Sequence, residues 1–149
     1  MNYRETMSRL NTALNNIDSA YSIIAKKHGL TFNALMMVCI IDESSSVTQK
    51  QICDELHLPK STVHSMLLDL VKNDYVSLEA GNNKKEKLVV LTSIGRKHFT
   101  KVLEETQRFE DKVLAALGDS TCAFRVETAE SLGEIIKEEV AVISSNEVS

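Results

Sequence analysis

The chain contains a single proline, Pro59, and it falls between two short runs that each carry helical periodicity. Elsewhere no proline interrupts the chain, so long unbroken helices are permitted. At this one point two helices must meet at a tight turn. Before it, "TQKQICDEL" (48–56) opens as a capping box, in which Thr48 bonds the backbone N–H of Gln51 and the Gln51 side chain reaches back. Ile52 and Leu56, four apart, then face inward. After it, "HLPKSTVHSMLLDLVKNDYV" (57–76) reads as a turn with Pro59 in the first turn of the next helix. Val63, Met66 or Leu67, and Leu70 supply its buried stripe, leaving Lys60, Ser61, Thr62, His64 and Ser65 on or near the opposite face. Asp74 stands where a C-capping glycine is usual, a place Asp tolerates less well.

The segments around this pair extend the pattern. "YVSLE" (75–79) and "KLVVLT" (87–92) are short strands rich in β-branched residues, and Gly81, Asn82 and Asn83 between them suit a turn. They form a hairpin with Lys84, Lys85 and Lys87 at or beside its tip. Thr92 or Ser93 then caps a long helix carrying Phe99, Val102, Leu103, Phe109, Val113, Leu114 and Leu117, ended by Gly118. A last helix, near Thr121 to Ile143, is expected to bury Leu132, Ile135, Ile136, Val140 and Ile143, with Gly133 allowing close packing. The tail "SSNEVS" is expected to fray. Upstream, Thr31 caps an apolar helix through about Ile41, with Met36 and Met37 as core filler and "DESSS" (42–46) as a loop.

The N-terminal segment repeats apolar residues at Tyr3, Met7, Leu10, Leu14, Ile17, Tyr21 and Ile24, a heptad stripe ended by Lys26, Lys27, His28 and Gly29. So narrow a seam faces another helix, of the same chain or of a second subunit. The fold class is therefore mainly α with a small β-hairpin wing: a winged helix-turn-helix core in one domain over 1–149.

Charge points the same way. The chain has net charge −4, yet from His57 to His98 seven bases face four acids, leaving +3 there and −7 elsewhere. A local basic surface on an acidic chain suits contact with an anion. In a winged helix-turn-helix the second helix of the pair enters the DNA major groove and the wing reaches a neighbouring groove or the backbone. Small hydroxyl residues at a helix start bring its positive end to phosphate, and wing lysines add contacts that release counterions. The expected DNA contacts are Lys60, Ser61, Thr62, His64 and Ser65 on the recognition helix, Thr48 and Gln49 at the preceding helix start, and Asn83, Lys84, Lys85 and Lys87 on the wing.

Other chemistry is not indicated. Cys39, Cys53 and Cys122 form no C-x-x-C pair, so neither a disulfide framework nor a zinc site is expected, and a reducing cytoplasm is. Cys39 and Cys53 read as inert and Cys122 as more exposed. His28 and His98 lack neighbours at metal-ligand spacing and read as structural, and Lys72 as a solvated helix residue. The N-terminus has no apolar h-region, and the longest apolar run, Ala34 to Ile41, is too short for a membrane span. No nucleophile–base arrangement, Gly-rich phosphate loop or paired carboxylates suggest an enzyme, and no cofactor is expected.

"LTFNALMMVCIIDE", "TQKQICDELHLPKSTVHSMLLDLVKNDYV" and "GNNKKEKLVVLTSIGRK" resemble successive segments of the MarR family of winged-helix regulators, with "STV" and "LT-x-x-G-R" the most telling parts. The resemblance implies a homodimer in which the N-terminal helix and the last two helices interlock. Residues 31–93 would be the DNA-binding region, and 1–29 and 94–143 the dimerisation helices. Met7, Leu10, Leu14, Ile17, Leu132, Ile136 and Val140 would then lie in the interface. It also implies a palindromic DNA site, most often repression, and a small-molecule effector bound between the dimer and DNA-binding regions. One departure stands out. The family's wing has an Asp followed two residues later by an Arg, where this chain has Asn83 and Lys85. Asn offers no ionic brace and Lys no planar fork, so this wing is expected to read the minor groove less strongly and to act as point charges on phosphate. The alternative reading is a winged-helix protein-interaction module without DNA binding, which the acidic whole and the altered wing favour.

Overall fold

The heptad run folds as one helix, α1 (Tyr3–Lys27), opened by the Asn2 side chain accepting from the Glu5 N–H and closed by His28, with Gly29 at φ 72°. A computed structural model describes residues 1–83 and 85–146 of the chain. Residues 1–106 form one compact unit and residues from 107 onward a second, with α5 (Ser93–Leu117) running through the boundary.

In the first unit, α2 (Phe32–Glu43) starts at Thr31, whose Oγ1 accepts from the Ala34 N–H at 3.1 Å. It carries the centre of the core: Leu35, Met37, Val38 and Ile41 are all buried, Met37 as the expected filler. The helix runs two residues further than expected, through Asp42 and Glu43, and Asp42 there pairs with Arg96 at 3.0 Å. A two-residue strand, β1 (Val47–Thr48), follows, and then α3 (Gln49–Leu56). The capping box is present in both directions: Gln51 N–H donates to Thr48 Oγ1 at 3.1 Å, and Thr48 N–H donates to the Gln51 side chain at 2.9 Å. A helix of this length is marginal alone, so Thr48→Ala is expected to lower stability by ~1 kcal/mol in urea unfolding, leaving m unchanged.

The turn closes through His57 in the left-handed region (φ 51°) and a Leu58 N–H to Cys53 carbonyl bond at 3.3 Å. α4 spans Lys60–Lys72, so Pro59 is its N-cap residue, one position earlier than expected. Its carbonyl accepts from the Thr62 and Val63 N–H groups. Val63 and Leu67 are buried beneath it and Met66 and Leu70 half-buried. Asp74 takes the left-handed turn after α4, at φ 58°.

β2 (Val76–Ala80) and β3 (Lys87–Leu91) make the hairpin, with Val76 opposite Leu91 and Leu78 opposite Val89. β1 pairs on the other side of β3, Val47 opposite Val89, giving the order β1-β3-β2. Val47, Val76, Val89 and Leu91 bury one face of this small sheet.

The "LT-x-x-G-R" run proves to be the joint between wing and α5. Thr92 caps the helix, accepting from the Gly95 N–H at 2.9 Å, while its hydroxyl donates to the Asp74 carbonyl at 2.5 Å. Gly95 admits no side chain, because a Cβ there would lie 2.0 Å from the Tyr75 carbonyl oxygen. His98 stacks on Tyr75 with ring centroids 4.1 Å apart, a structural role as expected. His28 is structural too. Its Nε2 lies 2.6 Å from Glu105, which also accepts from Lys27 at 2.6 Å. Lys27 and His28 together hold the Glu105 carboxyl below its ordinary pKa.

In the second unit, Gly118 ends α5 at φ 87° and α6 runs Asp119–Asn146. The expected fray at 144–149 is corrected as far as Asn146, because Ser144 and Ser145 hydroxyls bond back to the Val140 and Val142 carbonyls; residues 147–149 lie outside the described residues. The expected burial on α6 is also corrected within the single chain. Leu132 is half-buried, but Ile135, Ile136, Val140 and Ile143 are exposed. Among the described residues of the single chain, a Cβ on Gly133 would meet nothing within 4 Å. Cys122, like Cys39 and Cys53, is half-buried, and its Sγ donates to the Leu114 carbonyl at 3.5 Å. No single helix among the described residues is long and apolar enough to cross a membrane.

Candidate nucleic-acid interface

α4 begins without any side-chain cap. The first turn of such a helix presents backbone N–H groups that have no intrahelical acceptor. Lys60, Ser61, Thr62, His64 and Ser65 surround this start, and all five are exposed, as expected. The helix is held from behind by Val63 and Leu67 and at its start by Gln49, whose Nε2 donates to the Lys60 carbonyl at 3.3 Å. That bond ties α3 to α4 and fixes how the reading face is presented.

Thr48 and Gln49 are half-buried, and each has already committed part of its hydrogen-bonding capacity inside the chain. Their role is in part to build the turn. At the wing, Gly81 N–H bonds the Glu86 carbonyl at 3.0 Å and Glu86 N–H bonds the Asn83 carbonyl at 2.9 Å, which closes the tip. Asn83, Lys85 and Lys87 are exposed. Among the described residues no side-chain hydrogen bond joins Asn83 to Lys85, in keeping with the missing brace. Lys84 lies outside the described residues.

An open cavity of about 470 Å³ joins these parts, between the start of α3, the start of α4 and the wing. Thr48, Gln49, Lys60, Lys85 and Lys87 line it, all of them expected DNA contacts. Lys50, Cys53 and Glu86 also line it, and none of these three was expected. Lys50 is ten residues from Lys60, so only closure of the turn at Pro59 could reveal their proximity. No group of three or more His, Cys, Asp or Glu among the described residues could hold a metal ion.

The interface residues expected on the helices belong to α1 of the first unit and α6 of the second. On α1, Met7, Leu10, Leu14 and Ile17 are exposed, Leu14 at 54%, while Ile24 and Ala25 dock the end of the helix on the core. On α6, Ile136 and Val140 are exposed, Val140 at 52%.

Comparison with known proteins agrees with this architecture. The helix-turn-helix domain of the IclR type matches residues 35–79, the stretch from α2 to β2. That is under a third of the chain, and it describes the reading unit alone. The chain is 30% identical over 121 residues to an uncharacterized HTH-type transcriptional regulator of Bacillus subtilis, YwoH, covering 76% of this chain and 88% of that one. NMB1585, a MarR family regulator from Neisseria meningitidis, superposes with a TM-score of 0.80 at 25% identity over 95% of this chain and 98% of its own. A MarR family regulator from Listeria monocytogenes complexed with 26mer DNA shares the fold, with a TM-score of 0.68 at 20% identity over 89% of each chain. These are regulators, not enzymes. With the likeness to NMB1585 extending through α1, α5 and α6, well beyond the helix-turn-helix, the chain belongs to the MarR family of winged helix-turn-helix transcriptional regulators.

Proposed function

We propose that this chain binds double-stranded DNA as a cytoplasmic homodimer, represses transcription from a pseudo-palindromic site, and is released by a small-molecule effector. The observation that carries the reading is the exposed row Lys60, Ser61, Thr62, His64 and Ser65 around the uncapped start of α4, beside a cavity bearing wing lysines. In this reading α4 enters the major groove. Its short hydroxyl and imidazole side chains reach base edges and phosphates, and Lys84, Lys85 and Lys87 sit along the backbone as point charges. With no Asp–Arg pair on the wing, specificity falls mainly on α4. The Listeria monocytogenes regulator of the same fold is complexed with 26mer DNA, which supports the same reading.

The homodimer rests on the unpartnered apolar residues of α1 and α6. Met7, Leu10, Leu14 and Ile17 on one helix, and Ile136 and Val140 on the other, are exposed, with Leu132 half-buried beside them. A second copy covering them would remove this apolar surface from water. The effector follows from the family likeness.

The wing provides the test. Each lysine that neutralises a phosphate contributes about one unit to the salt slope of binding. A Lys84/Lys85/Lys87→Ala triple substitution removes six lysines from a dimer, and is therefore expected to reduce the slope by about five to six units and weaken binding most at low salt. Unchanged affinity and slope would remove the wing from the interface. A second reading, a protein-interaction module without DNA binding, is favoured by the −7 balance outside residues 57–98 and by the unbraced wing. It predicts a stable dimer that ignores DNA even at low salt.

A further inference from the structure

Four lysines from three separate stretches of chain surround the cavity beside α4: Lys50 of α3, Lys60 of α4, and Lys85 and Lys87 of the wing. Glu86 is the one acidic residue in the lining. Among the described residues none of the four lysines has an ion pair or a side-chain hydrogen bond with another side chain. Four ammonium groups are thus gathered around one space with a single carboxylate to offset them. Elsewhere on this acidic chain, lysines such as Lys27 and Lys137 are paired with Glu105 and Glu134. The gathering is also anchored. The Gln49 to Lys60 bond fixes α3 against α4, and the Gly81–Glu86 and Glu86–Asn83 bonds fix the neck and tip of the wing. These bonds link the segments that carry the four lysines.

We infer that this cavity is a seat for a phosphate group, and that Lys50 is one of its binding residues. Lysine is a compact, strongly hydrated point charge suited to phosphate oxygens, and several of them match a multiply charged anion better than a single carboxylate. The volume, about 470 Å³, admits more than one phosphate group and lies in the range of small-molecule sites. The same chemistry is offered by a DNA backbone phosphate and by a free diphosphate. Because the seat lies beside the α4 reading face, either occupant excludes the other. The DNA side of this inference rests on the proposed function; the diphosphate side does not.

The experiment uses the full-length protein and its Lys50→Gln variant, which alters one exposed side chain. Calorimetric titration with pyrophosphate at fixed ionic strength, with sulfate as the ionic control, reads the seat in the absence of DNA. Binding to a duplex across a salt series reads it with DNA. The seat predicts that Lys50→Gln weakens pyrophosphate by about tenfold and lowers the DNA salt slope by about one unit per subunit, about two for a dimer. Loss in both arms supports a seat shared by the two ligands. Loss in one arm alone supports the phosphate seat and identifies its occupant. If the variant matches the parent in both arms, or if pyrophosphate binds no better than sulfate and the DNA slope is unchanged, the inference is overturned. Failure of the parent protein to bind any duplex, with pyrophosphate binding that depends on Lys50, would sink the DNA-binding reading and leave the seat standing.

Discussion

Leu10→Glu combined with Leu14→Glu is expected to convert the proposed homodimer into monomers and to abolish binding to a two-half-site duplex. Both leucines are exposed in the single chain, Leu10 at 40% and Leu14 at 54%, and lie outside its buried core. Any large effect must come from what covers them. In a two-fold dimer each change occurs twice. Losing the burial of four leucine side chains at ~2 kcal/mol each amounts to roughly 8 kcal/mol, about six decades in the dimer dissociation constant. Placing carboxylates in an apolar seam adds to the penalty. Light scattering at micromolar concentration is expected to report the monomer mass, with helicity by circular dichroism largely retained. An intact dimer would show that the α1 stripe is not the interface.

Thr62→Phe, or Ser61→Phe, is expected to leave the dimer and its stability intact while removing specific DNA binding. Both residues are exposed at the uncapped start of α4, where substitutions usually change stability by less than ~0.5 kcal/mol. A bulky ring there would hold α4 away from the groove in both half-sites. Misreading one base pair costs about 1–3 kcal/mol, so two displaced helices should cost at least about thirtyfold in specific affinity. The remaining binding should be salt-sensitive and indifferent to sequence, because the lysines are untouched. A retained footprint at the parent affinity would mean that another element reads the DNA.

The reading unit was legible because its signals are local. The capping box at Thr48 and Gln51, the stripe of Val63 and Leu67, and the left-handed turn at Asp74 each lie within a few residues of sequence, where side-chain chemistry and period decide the outcome. β1 was not legible: two residues, Val47 and Thr48, carry no alternation, and only pairing with β3 makes them a strand. The last two residues of α2 carry no local signal, and the partner of Asp42, Arg96, lies fifty-four residues away. α6 showed the limit of an apolar pattern. Ile135, Ile136, Val140 and Ile143 announce burial without saying what buries them, and within one chain nothing does. The site divides in the same way. The α4 residues could be read from helical period, whereas Lys50 joins Lys60, Lys85 and Lys87 only through the turn at Pro59 and the fold of the wing.

Selecting bound sequences from a random DNA pool with the purified protein tests the central claim most directly. A homodimer presenting one α4 per subunit predicts enrichment of a pseudo-palindrome, with half-sites about one helical turn, ~10 base pairs, apart. That enrichment should vanish in the Thr62→Phe variant and persist, at reduced low-salt affinity, when the wing lysines are replaced. A stable dimer that enriches no sequence would contradict the account and leave the protein-interaction reading in its place.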